Sequence, residues 1–244
     1  MSKFVTRAVM VWCGLLSAAA SAVGPVDAFL SSPTRRELPQ ANQLSAPARA
    51  ALESGFVSSV EPRLGVPAFF WSAPPAAGSR SFRAQGLTAE QAARRYLVAH
   101  AELYRASPGR WAEARVSQVH ELGDQGAVIV NFQQQVRGVR VFRDELKVIM
   151  NSQLQLVALS GYLTHEVKPT GDFSLTEGSA LASAYQALSG RGLEQGSLKR
   201  LSVDGAGFTR FALPGEVTPA RARPGYFPTA GGVVPGYQGE LELQ

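Results

Sequence analysis

Cysteine is almost missing from this 244-residue chain: the single one, Cys13, lies in the N-terminal apolar stretch. The remainder of the chain has no disulfide and no thiol nucleophile. Histidine is nearly as scarce, with three in all, His100, His120 and His165. A zinc protease helix needs His-Glu-x-x-His, because the i, i+4 spacing puts two imidazoles on one face with the glutamate beside them. The nearest approach is His120-Glu121-Leu122-Gly123-Asp124, which lacks the second histidine and runs into a Gly-Asp turn. No Gly-x-Ser-x-Gly elbow is present, and Leu159-Ser160-Gly161 reads as the end of a strand. Gly231-Gly232 has no lysine or helix after it, so it cannot cradle a phosphate. Asp144 and Glu145 are neighbours on a strand and point to opposite faces, which rules out a paired acid and base. Charge is sparse at 18% of residues. The basic pairs Arg94-Arg95 (on a helix) and Arg221/Arg223 (read as a loop) form no stripe with interleaved aromatics, so nucleic acid is not an expected partner. The reading assigns no metal, no cofactor and no catalytic residue, and the chain is taken as a non-enzyme.

The N-terminus has a separate character. Lys3 and Arg7 precede the apolar run Ala8–Leu16, and Ala20-Ser21-Ala22 supplies a small-x-small pattern. This is the order of a secretory signal, 1–22, with Ala20 and Ala22 marking the cleavage site. Trp12 is bulky where a lipid-attachment signal has a small residue before its cysteine. The run is too short to span a bilayer comfortably. The expected product is secreted or periplasmic and free of the membrane. Loss of Lys3 and Arg7 leaves 22 basic against 19 acidic residues, a net charge of +3 in place of +5.

After the signal, residues 23–60 are read as a flexible linker, because 23–50 is rich in Pro, Ser, Ala and Gln. The stretch 63–74, RLGVPAFFWSAP, is too apolar to stay loose in water, and its prolines forbid a helix. Phe69, Phe70 and Trp71 are read as a docking arm, set either on the following domain or on a partner; an edge strand packed at home is the other reading. Thr88 and Gln91 make a capping box for a helix over 88–105, with a stop at Ser107-Pro108-Gly109. Strands follow at 114–122, 127–136, 139–150 and 154–163. Arg137-Gly138 is a two-residue turn, and a change of apolar parity predicts a bulge near Phe142–Asp144. Phe132 shares parity with Val128 and Val130 and is expected to face the helix. A second helix, 175–188, is followed by strands at 198–203 and 208–213 and two more in the final stretch. The chain ends in mid-alternation on Glu240–Gln244, read as a last strand or as a product that once continued. The expected class is α+β, with two successive helix-plus-antiparallel-sheet units, 61–166 and 167–244.

Phe132, Gln133, Gly138, Val139, Val141, Phe142, Glu145, Leu146 and Gly161, with Val130 and Asn131, carry a resemblance. The pattern is an aromatic-plus-Gln strand, a Gly-Val-x-Val-Phe turn and strand, and a closing Ser-Gly. It resembles the propeptide domain shared by fungalysin- and thermolysin-type zinc metallopeptidases. Arg140 departs from it, standing where such propeptides often have Pro. The resemblance implies cystatin-like units that chaperone a protease and block its cleft. It implies a non-catalytic inhibitor and folding chaperone whose partner is a fungalysin-like catalytic domain, in cis or in trans. A secreted adhesion or scaffold module without a protease partner is the alternative.

Overall fold

The computed structural model describes residues 8–13, 37–76, 78, 80–112, 114–123, 125–164, 167–193, 195–215, 217–229 and 232–242. Ala20, Ala22, Asp124, His165 and residues 23–36 of the expected linker lie outside them. In chain order the elements are β1 (Ala8–Cys13), α1 (Ala46–Glu53), β2 (Gly55–Glu61), β3 (Val66–Ser72), α2 (Ala89–His100) and α3 (Pro108–Ala112). Next come β4 (Arg115–Glu121), β5 (Val128–Val136), β6 (Val139–Met150), β7 (Leu156–Gly161) and α4 (Glu177–Ser189). The last are β8 (Lys199–Val203), β9 (Thr209–Ala212), β10 (Ala220–Thr229) and β11 (Gly232–Leu241). The chain divides into two compact units, Ser32–Val167, and Lys168–Gln244 together with the N-terminal strand.

The expected class is corrected. Strand makes up 40% and helix 24%, and the fold is mostly sheet with few helices rather than two helix-plus-sheet units of cystatin-like form. One reason lies in the stretch read as a linker. It holds α1 and all of β2 but the last residue, and β2 pairs with β3 to add a hairpin to the expected meander. Ser45 caps α1 by accepting from the Ala48 amide at 3.2 Å, and Pro47 sits in the first turn, where a missing N–H costs nothing. The helix buries only Ala48 and Ala51.

In the Ser32–Val167 unit the strand order is β2-β3-β7-β6-β5-β4, antiparallel at every pairing. The capping box at α2 forms as expected. Thr88 Oγ1 accepts from the Gln91 amide at 3.2 Å, and Gln91 Oε1 accepts from the Thr88 amide at 2.9 Å. The α-helix ends at His100, and Ala101–Tyr104 continues as a tighter 3-10 turn. Its buried face, Ala92, Ala93, Leu97 and His100, packs on β5 and β6. Arg137 and Gly138, both at positive φ (50° and 79°), make the hairpin turn. The bulge is also where parity placed it. Gln133 pairs with Glu145 and Gln135 with Arg140, and Arg143 is left-handed at φ 54°. Phe132, Val128 and Val130 are buried, and the Arg94 guanidinium of α2 lies 5.4 Å over the Phe132 ring.

In the second unit α4 packs on β10 and β11. Thr176 Oγ1 caps it by accepting from the Ser179 amide at 3.1 Å, and Gly190 closes it at φ 71°. The strands run β8-β9-β10-β11-β1, all antiparallel, and one parallel bridge joins Pro169 to Val233. Leu181, Ala184, Tyr185, Phe211, Ala220 and Leu241 form its core. Arg221 and Arg223, read as loop residues, lie on β10 with Phe208 beneath both guanidinium groups, at 4.5 and 4.2 Å. Arg221 also bridges Glu240 (2.7 Å) and Asp204 (3.1 Å).

Candidate functional site

Strand register in the Ser32–Val167 unit builds a continuous outer row. His120 pairs with Ile129, Ile129 with Ile149, Ile149 with Ala158, Ala158 with Trp71, and Trp71 with Phe56. Residues directly opposite on antiparallel strands share a face, so all six lie on the side of the sheet away from the helices. Trp71 is 41% exposed and Phe56 59%. The next row, Gln118, Asn131, Lys147, Ser160, Phe69 and Ser59, is polar apart from Phe69. The Phe69 and Trp71 rings sit 4.9 Å apart, so three aromatics gather at one end of a face otherwise half polar. The predicted docking arm thus separates by parity. Phe69 and Trp71 face outward, while Phe70 is buried with its ring 5.2 Å from that of His100. The arm is an interior strand, held between β2 and β7, and neither a free arm nor an edge.

The motif residues spread over the same sheet. Phe132, Val141 and Leu146 are buried, Val139 and Phe142 are half-buried, and Glu145 is exposed. Gln133 is buried and donates from Nε2 to Glu145 Oε1, its cross-strand neighbour, at 3.4 Å. Gly161 pairs with Leu146, and a Cβ there would lie 2.1 Å from the Glu145 carbonyl oxygen. A glycine is therefore required at this position of the β6–β7 pairing.

A buried polar group forms under the bulge. Asp144 is fully buried, and its two carboxylate oxygens accept from the Thr164 amide at 2.8 and 3.0 Å. Burial pushes the Asp144 carboxyl up to about 7, against the lowering effects of the Thr164 hydrogen bonds and the Arg63 charge. Arg63 pairs with Glu61 at 2.6 Å and donates to the Tyr162 hydroxyl. Burial pushes the Tyr162 phenol up to about 12. With the carboxylate committed to one amide inside the sheet, this group braces the bulge. His120 and Glu121 are both exposed on β4, and alternation sends them to opposite faces. Among the described residues no three His, Cys, Asp or Glu side chains come together as a metal site.

Sequence reasoning missed Phe56, Arg63 and Thr164. Phe56 sits in a short strand with Val57 and Val60, and only its register with Trp71 gives it meaning. Arg63 and Thr164 are brought to Tyr162 and Asp144 by pairings that no local pattern announces.

A comparison with known protein families matched none, and no curated protein matches the chain.

Proposed function

We propose that this chain is a non-catalytic, propeptide-like inhibitor and folding chaperone of a secreted zinc metallopeptidase of the fungalysin/thermolysin kind. The observation that carries the reading is the outer face of the sheet, where Phe56, Phe69 and Trp71 stand exposed or half-exposed beside Ile129 and Ile149. Exposed aromatics grouped on a rigid sheet are the anchors on which protein interfaces depend. The resemblance at residues 130–146 supplies the class of partner. Among the described residues β4 pairs with β5 alone, which leaves an edge for backbone pairing with that partner.

The test is inhibition in trans by the double variant Phe56→Ser, Trp71→Ala. Both side chains are solvent-facing, so the variant should melt within a few degrees of the parent. Its inhibition constant should rise by about tenfold or more, the scale of losing two aromatic anchors. Inhibition unchanged in a folded double variant would move the contact away from this face.

A further inference from the structure

The apolar core of the expected secretory signal is part of the fold. It forms β1 (Ala8–Cys13), which runs antiparallel along β11 for six residues, from Ala8 opposite Leu241 to Cys13 opposite Gly236. Among the described residues β1 pairs with β11 alone, so it closes that end of the sheet. On its other side β11 pairs with β10 along nearly its whole length, from Gly232 opposite Thr229 to Glu240 opposite Arg221. β11 thus has one full ladder that owes nothing to β1. With β1 gone, its second row of N–H and C=O groups stands open, the template that an added strand completes.

The side chains along this stretch of β11 define what kind of strand fits. Gln238 Oε1 accepts from Arg223 Nε and Nη2 at 3.1 and 2.8 Å. Glu240 Oε2 accepts from Arg221 Nε and Nη2 at 2.9 and 2.7 Å. The Tyr237 hydroxyl donates to the Leu175 carbonyl. Gly236 and Gly239 carry no side chain at all. Each polar side chain from 236 to 240 is therefore turned back into its own unit, and the edge offers a neighbour only backbone. A charge on the incoming strand finds no free counter-charge here, because Glu240 is already held by Arg221. The complement is an extended, uncharged, apolar strand, and the sequence of β1, AVMVWC, is of that kind.

Two destinations compete for this one segment. A secretory signal is drawn into the export machinery and cut away, and a cut after Ala22 takes β1 from the sheet. We propose that β11 is a strand-acceptor edge, closed in cis by Ala8–Cys13 while the signal is attached and open, once it is removed, to an extended apolar segment of another polypeptide. For the donor it rests on the reading above: a protease chain that has not yet folded exposes such segments, and one held on β11 is kept from pairing with its neighbours.

The full chain carrying Met10→Pro and Val11→Pro tests this. Neighbouring residues of a strand point their N–H groups to opposite sides, so one of the two prolines breaks the ladder to β11 whichever way it is phased. The probe is a synthetic peptide of residues 6–15 with Cys13→Ser, and the control is that peptide with the same two prolines. The variant should bind the probe, and the control should bind at least about tenfold more weakly, the scale of one or two lost hydrogen bonds. The parent chain, its edge already filled in cis, should bind the probe at least about tenfold more weakly than the variant does. Probe should also raise the melting temperature of the variant and slow hydrogen exchange at the amides of 236–240. Probe that binds there, with no help from the chain in refolding a fungalysin-like catalytic domain, would remove the protease as donor and leave the acceptor edge standing. No binding by the variant, equal binding of probe and control, or protection away from β11 would overturn the edge, whatever the protease does. A variant whose second unit no longer melts cooperatively, with or without probe, would overturn it too, because β1 would then be a fixed part of the fold.

Discussion

Gly161 holds φ at 89°, and a side chain there would run into the Glu145 carbonyl oxygen at 2.1 Å. Gly138 also has positive φ, 79°, but nothing lies within 4 Å of its would-be Cβ. The two glycines separate conformational strain from steric collision. Gly138→Ala should cost about 1 kcal/mol and Gly161→Ala clearly more, about 3 kcal/mol or above, read as shifts of the urea midpoint. Equal costs would mean that β7 slides to accommodate the methyl. Asp144 gives a pH prediction. Its folded-state value is about 7 against an ordinary 3.8, so its contribution is fully present below the ordinary value and is lost as pH rises through 7. The groups facing it are Arg63, Tyr162 and Glu145, and Thr164 donates to it. His100 acts in the opposite sense, since its lowered value favours the fold as pH rises through the imidazole range, but it is common to the parent and the Asp144 variant. Asp144→Asn keeps one acceptor for the Thr164 amide and cannot ionise. The melting temperature of the parent, relative to that variant, should fall between pH 5 and pH 8; a constant difference would show that the carboxyl stays ionised throughout. Sequence parity placed Asp144 opposite Glu145 and predicted the bulge beside it. It could not supply Thr164, twenty residues on, because that contact depends on where the chain turns after β7.

Elements with strong local signals were legible. The capping box starts α2 where Thr88 and Gln91 put it, and Arg137-Gly138 turns β5 into β6 because both residues accept positive φ. Alternation placed Phe132 toward α2, and Phe132→Ala should cost about 3–5 kcal/mol, as for a buried aromatic. An unchanged denaturation curve would show that the Arg94 guanidinium closes over the space. Elements with weak signals were lost. α1 buries two alanines and half-buries Leu52, its one large apolar residue, so its periodicity vanishes into a Pro- and Ala-rich composition. β2 is only seven residues long and mixes Phe56, Val57 and Val60 with Gly55, two serines and Glu61, and its pairing with β3 is what makes it a strand. Prolines at 67 and 74 correctly excluded a helix, yet Pro67 sits inside β3, so the arm became a sheet strand.

At the scale of the whole molecule, pairing between distant strands decided what local patterns could not. Two helix-plus-sheet repeats were expected from the order of elements along the chain, whereas the hairpin β2–β3 joins β7 and enlarges the sheet. The outer face that results is aromatic at one end and not strongly charged, and the chain's +5 formal charge is spread among scattered arginines. Charge this diffuse steers association weakly, so binding through this face should survive salt. The most direct measurement is a set of progress curves for a fungalysin-like catalytic domain with increasing amounts of the purified chain, at low and at high ionic strength. The account predicts slowed hydrolysis at both salt levels, a higher yield when the catalytic domain is refolded with the chain present, and no hydrolysis by the chain alone. Neither inhibition nor improved refolding across several related proteases, or zinc-dependent hydrolysis by the chain itself, would contradict it.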